Sequence, residues 1–208
     1  MAEITFFTNP MSRGQIARWA LHEAGADYEA VIVDWNDKSD AFLAANPMGK
    51  VPTIIHHAAG GDRIVSEAAA ICAYLAEIRP GADLLPHEDE KADYYRWLFF
   101  AAGPVEQAVT SRALKFEPAP EQQVMVGFGS YDRTMDTLEH HLAANRFVCG
   151  DRFTMADVYV GSHVDWGLHF GTFPKRDAFV AYAERCRARD AYRAGKAIDN
   201  TLIEEMSK

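Results

Sequence analysis

Between Asn9 and Arg13 the chain reads Asn-Pro-Met-Ser-Arg, a polar turn set between an apolar run and a helical stretch. N–H groups at a helix start and the positive end of its dipole favour an anion at such a junction. Ser12 has two roles open to it: its hydroxyl caps the helix, or it donates to an anion held there. Arg13, next to the turn, can reach a carboxylate, whereas Arg18 falls inside the helix, where a structural ion pair is expected. Asn9 adds an amide donor.

A second stretch, Asn46-Pro-Met-Gly-Lys-Val-Pro-Thr-Ile54, breaks any helix at Pro47 and Gly49 and then enters a short β run. Taken alone, its proline is compatible with an ordinary trans bond, since most X–Pro bonds are trans. A third, Val65-Ser-Glu-Ala-Ala-Ala-Ile71, opens another helix. There Ser66 caps the helix and Glu67 complements its dipole, or Glu67 and the N–H groups of Glu67 and Ala68 hold a charged ligand. Aromatic residues gather at Tyr94-Tyr-Arg-Trp-Leu-Phe-Phe100 and at Trp166 and Phe170. Most must be core, with Trp97 and Trp166 as candidates for an apolar pocket.

These groups need a scaffold, and the hydrophobic pattern supplies one. Ile4–Phe7 reads as a buried strand, Ala17, Ala20, Leu21 and Ala24 as a helix closed by Gly25, and Val31–Val33 as a second strand. Asp40–Ala45 is a short helix. Pro52–Ile55 and Arg63–Val65 form a hairpin turning at Ala59–Asp62, and Ile71, Leu75 and Ile78 mark the next helix. Strand, helix, strand, then helix, strand, strand, helix is the thioredoxin-like order, placed at residues 1–79. Prolines and a glycine make 80–86 a linker. Over 87–208 the spacing of Tyr131, Met135, Leu138 and Leu142, and of Phe179, Tyr182 and Cys186, predicts an all-α helical bundle. The fold class expected is therefore α/β plus all-α. Within the second part, Thr154 and Asp157 have capping-box spacing, worth about 1 kcal/mol each to a helix start.

Composition narrows the function. A net charge of -9 over 208 residues argues against nucleic acid or an anionic membrane as the main partner. Three cysteines without C-x-x-C spacing indicate neither a disulfide framework nor a dithiol site. The N-terminus lacks a basic region with a long apolar core, and no apolar run reaches spanning length, so a cytoplasmic location is expected. The adjacent pairs His56-His57 and His140-His141 diverge in direction, so no metal is expected. No G-x-S-x-G elbow supports a serine hydrolase.

Together, N-P-x-G-K-V-P at residues 46–52, A-I-x-x-Y-L at 70–75 and G-D-x-F-T-x-A-D at 150–157 resemble the glutathione S-transferase superfamily, over nearly the whole chain. The resemblance implies a bacterial, serine-type enzyme that joins glutathione, its cosubstrate, to an apolar electrophile in detoxification. It implies Ser12 as the hydroxyl stabilising the thiolate, with Asn9 as another possible donor to sulfur. It also implies a cis Val51–Pro52 bond, a Val51 backbone edge for the cysteinyl unit, Arg13 and Lys50 for glutathione carboxylates, and Glu67 for the γ-glutamyl group. Homodimerisation is implied as well. Two departures stand out: Thr5-Phe-Phe-Thr8 offers no tyrosine, and Ala68 occupies the place of a Ser or Thr hydroxyl. Glutathione-dependent isomerisation or dehalogenation begins from the same thiolate. A non-catalytic member binding a thiol or a protein is the alternative that Ala68 supports.

Overall fold

A computed structural model describes residues 2–207. The first compact unit comprises the residues up to Leu85 together with those from Ala188 onward; the second runs from Pro86 to Arg187.

In the first unit, strand β1 (Ile4–Thr8) is followed by helix α1 (Gly14–Glu23), strand β2 (Tyr28–Ile32) and helix α2 (Asp40–Ala45). Strands β3 (Thr53–Ala58) and β4 (Gly61–Ser66) and helix α3 (Ala68–Ile78) complete the thioredoxin-like set. The sheet order is β2-β1-β3-β4. β1 pairs parallel with β2 and antiparallel with β3, and β3 pairs antiparallel with β4. β2 begins earlier than the apolar run suggested, because Tyr28 pairs with Ile4. Val33 lies just past the strand, yet its N–H still reaches the Thr8 carbonyl at 2.8 Å. The hairpin is tighter than expected: Ala58 faces Gly61 across it, and Gly61 takes φ 101. Gly25, at φ 59, ends α1 as the sequence predicts.

The second unit holds α4 (Lys91–Phe100), α5 (Glu106–Ala113), α6 (Tyr131–Ala144), α7 (Met155–Phe170) and α8 (Asp177–Arg187). Between α4 and α5 the chain widens into a π turn at Ala101–Val105, where Pro104 lacks the N–H for a regular helical bond. Helix α7 is buried nearly all round its first three turns, as a central helix must be. At its start the Asp157 carboxylate receives the N–H of Thr154 at 2.8 Å and its hydroxyl at 3.1 Å. It also receives the Val148 N–H at 2.7 Å and the Tyr182 hydroxyl at 2.9 Å. Burial pushes the Asp157 pKa up to about 6, although each of these donors pulls it down.

The last helix, α9 (Asp190–Met206), departs from the sequence expectation of an all-α part running from 87 to 208. It packs on α1 in the first unit, with Gly195 close against the Trp19 backbone and Trp19 edge-on to Tyr192. Polar bonds fix it there. Arg18 Nε meets Asp199 at 2.8 Å with both side chains buried, and Arg189 grips Glu23 through Nε and Nη2. Periodicity alone shows that α9 is a helix and not which unit it joins.

Candidate functional site

Strand directions decide where the candidate residues go. Phe7 faces Thr53, and Thr53 faces Ser66, so the end of β1, the start of β3 and the end of β4 share one edge of the sheet. The Asn9–Arg13 turn, the Val51–Pro52 approach and the Glu67–Ala68 junction therefore emerge side by side.

The turn is held from inside. Asn9 is buried; its amide donates to the Val33 carbonyl at 3.1 Å, and its Oδ1 accepts the Met11 N–H at 2.9 Å. Asn9 is thus engaged in building the turn. The Ser12 hydroxyl donates to the Asn9 carbonyl at 2.6 Å and accepts from the Gly14 N–H at 2.9 Å. To serve a ligand, that proton must swing away from Asn9. Gly14 allows the tight entry: a Cβ there would stand 2.0 Å from Thr8 Oγ1 and 3.1 Å from the Asn9 carbonyl oxygen. Arg13 is exposed at the cap of α1. Arg18 points elsewhere, into its buried pair with Asp199.

Asn46, which the sequence offered only as part of a string, organises the next loop. Its amide donates to the Lys50 carbonyl at 2.9 Å and to Thr53 Oγ1 at 3.0 Å. Its Oδ1 accepts the Met48 N–H at 3.1 Å, and its carbonyl accepts the Gly49 N–H at 2.8 Å, with Gly49 at φ 58. The Val51–Pro52 bond is cis. Val51 packs on the cluster of Phe7, Val33 and Phe42, Pro52 is buried, and the Lys50 side chain is exposed.

At the third segment the expected Ser66 cap gives way. Ser66 is the last residue of β4, still paired with Thr53, and Glu67 takes the cap position without a side-chain cap bond. Glu67 has φ 67 and ψ 119, a conformation costing a non-glycine residue about 1–3 kcal/mol. Its side chain is exposed, while Ala68 is buried. Neither α1 nor α3 carries an acidic residue in its first turn, so the positive end of the α1 dipole stays uncancelled at this edge, while that of α3 meets only Glu67 at its cap. That combination suits an anion with several charged ends.

The two tryptophans belong to separate clusters of the second unit. Trp97 is 2% exposed, stacked on His141 at 4.1 Å and edge-on to Phe100. Half-buried Trp166 meets Phe170 edge-on at 6.4 Å. A groove of about 770 Å³ lies between α4 and α6, bounded by Arg96, Trp97, Arg133 and His140. Among the described residues no group of His, Cys, Asp or Glu gathers as a metal site, and no helix is long and apolar enough to cross a membrane. His56 turns to Tyr74 and His57 to Asp62. All three cysteines are free; burial pushes Cys149 up to about 12 and raises Cys72 and Cys186 as well, so none is a ready thiolate.

Comparison with known proteins gives this edge a family. Residues 2–77 match the glutathione S-transferase N-terminal domain, and residues 107–166 match the glutathione S-transferase C-terminal domain. Glutathione S-transferase 3 of Zea mays is 32% identical over 171 residues, covering 76% of this chain and 75% of its own. The chain belongs to the glutathione S-transferase family. Glutathione S-transferase GstA of Escherichia coli O157:H7 is 27% identical over 205 residues, covering 90% of this chain and 96% of its own. A sphingomonad glutathione S-transferase, solved in complex with glutathione, matches with TM-score 0.74 and 27% identity over 94% of this chain and 98% of that one. In this family member the sequence offered the three candidate segments, two through motifs and the Asn9–Arg13 turn through its place between a strand and a helix. They carried no sign of Gln15, whose Nε2 donates to the Pro10 carbonyl and whose Oε1 accepts from Lys196 at 2.7 Å.

Proposed function

We propose that this family member is a serine-type glutathione transferase that conjugates the glutathione thiolate to an apolar electrophile. The observation that carries the reading is the convergence of the Ser12 turn, the Val51 edge and the strained Glu67 junction at one edge of the sheet. The Ser12 hydroxyl turns from the Asn9 carbonyl to the sulfur and lowers the thiol pKa, helped by the N-terminus of α1. Asn9 holds the turn. The Val51 backbone N–H and carbonyl pair with the cysteinyl unit, leaving Pro52 to shape the loop. Glu67 accepts from the γ-glutamyl ammonium, while N–H groups at the start of α3 take its carboxylate. Arg13 and Lys50 serve the glycyl carboxylate. Trp97 and Trp166 remain the two candidates for the apolar wall that meets the electrophile. The thiolate then attacks the electrophilic atom, and the leaving group departs with the bonding pair. A cytoplasmic homodimer is part of the same proposal.

A second reading, a binding protein without turnover, is favoured by one pair of facts. Ala68 stands where the family resemblance expects a hydroxyl, and the Ser12 hydroxyl already donates to the Asn9 carbonyl. Calorimetric titration with glutathione and an assay with an activated aryl halide, on wild type and Ser12→Ala, separate the two. Turnover that drops about 10²-fold or more in Ser12→Ala supports the first reading. Binding with no turnover supports the second, and unchanged turnover in Ser12→Ala removes Ser12 from catalysis.

A further inference from the structure

The Pro10–Met11 peptide, one residue ahead of Ser12, is gripped from both sides. Its N–H, on Met11, donates to Asn9 Oδ1, and its carbonyl, on Pro10, accepts from Gln15 Nε2. Because the peptide is planar, these bonds together fix the plane from which the chain enters Ser12, leaving the rotations at Met11 as the freedom between that plane and the serine. Gln15 is in turn held by α9, where Lys196 Nζ donates to Gln15 Oε1 at 2.7 Å. A primary amide that donates at one end and accepts at the other has its orientation set by both partners. Lys196 therefore decides which way the Gln15 amide faces, and Gln15 decides how the turn is held.

We propose that Gln15 and Lys196 are positioning residues for the Ser12 hydroxyl, so that α9 tunes the ionisation of bound glutathione from outside the site. This rests on the reading of Ser12 as the thiolate donor. Elsewhere on the α1–α9 contact, Arg18–Asp199 and Glu23–Arg189 bond the same helices without touching the turn. That difference provides the control.

The experiment measures the pKa of the glutathione thiol bound to purified full-length protein, by ultraviolet thiolate absorbance across pH, alongside kcat, KM and thermal midpoint. Lys196→Met and Gln15→Met are expected to raise the bound thiol pKa by about half a unit or more. They should lower kcat about three- to tenfold, as loss of an oriented hydrogen bond does, with KM changed less. Lys196→Arg, which keeps a donor, restores most of the difference. Arg189→Leu lowers the thermal midpoint but leaves the thiol pKa in place. The proposal is overturned if Lys196→Met and Gln15→Met leave the thiol pKa where it was while Ser12→Ala raises it. It is equally overturned if Arg189→Leu moves that pKa as much. If wild type does not depress the thiol pKa at all, the Ser12 reading fails first and takes this proposal with it.

Discussion

The Asp157 cluster in the helical unit and the Ser12–Glu67 edge of the sheet are both built from polar groups at helix starts, but they are finished differently. Asp157 is wholly buried and takes bonds from Val148, Thr154 and Tyr182, each donor ending on the same carboxylate. At the sheet edge Glu67 is exposed in a costly conformation, and the start of α3 has no side-chain cap. A closed network specifies a fold; a strained residue beside an uncapped helix start is the feature that the proposed glutathione site would use.

The most forceful way to break the comparison is Asp157→Ala. It strands the Val148 and Thr154 N–H groups and the Tyr182 hydroxyl in the core, for a loss of about 3–5 kcal/mol. Urea unfolding should show a lower midpoint at an unchanged slope. Glutathione affinity of the fraction that remains folded should stay within about twofold, because no site segment touches this cluster. A selective loss of affinity would erase the distinction.

Protonation tests the same carboxylate. Its folded pKa of about 6 exceeds the ordinary 3.8, so its contribution to stability is fully present below 3.8 and is lost as pH rises through 6. Relative to Asp157→Asn, wild type should therefore gain up to about 3 kcal/mol between pH 7 and pH 4. Glu90 acts in the opposite sense: the Arg152 guanidinium holds it below its usual value, and its contribution fades as pH falls. Subtracting the Asp157→Asn curve from the wild-type curve cancels that background. A difference that grows with rising pH contradicts the buried-acid description.

How much of this was legible beforehand follows the range of the interactions. The helix stop at Gly25 and the capping spacing of Thr154 and Asp157 are set by neighbours within a few residues, and the sequence displayed them. Val51 and Glu67 were found through motifs and Ser12 through its place between a strand and a helix, but what their atoms do was not displayed. The Ser12 hydroxyl donates to the Asn9 carbonyl, Ser66 belongs to a strand, and Glu67 has positive φ. The unread part was long-range. Lys196 meets Gln15 across 181 positions, and Arg18 meets Asp199 across the same separation, which no periodicity reports.

Gly14→Ala sharpens the site half of the comparison. The added methyl would lie 2.0 Å from Thr8 Oγ1, and Thr8 is buried and β-branched, so its hydroxyl has little room to turn aside. A loss of about 1–3 kcal/mol in stability is expected, the usual effect of overpacking. Glutathione affinity should fall with it, since the same methyl crowds the Asn9 carbonyl and Ser12 Oγ at 3.1 Å. Calorimetry showing full affinity in a destabilised variant would mean that the turn adapts and is not a fixed part of the site.

The smallest effect is the most discriminating, because its two readouts should move in opposite directions. Glu67→Gly removes the penalty of φ 67, and glycine adopts that conformation freely. The gain is partly offset by the greater freedom of glycine in the unfolded chain, leaving about 1 kcal/mol or less of added stability. If the carboxylate meets the γ-glutamyl ammonium, glutathione affinity should fall about tenfold in the same variant. Thermal unfolding and calorimetry on one preparation give both numbers. Stability that rises while affinity holds would make the strain incidental to binding, and stability that falls would mean that Glu67 is held by its side chain rather than tolerated for its position. Only a gain in the first with a loss in the second is what a residue kept strained for its ligand should show.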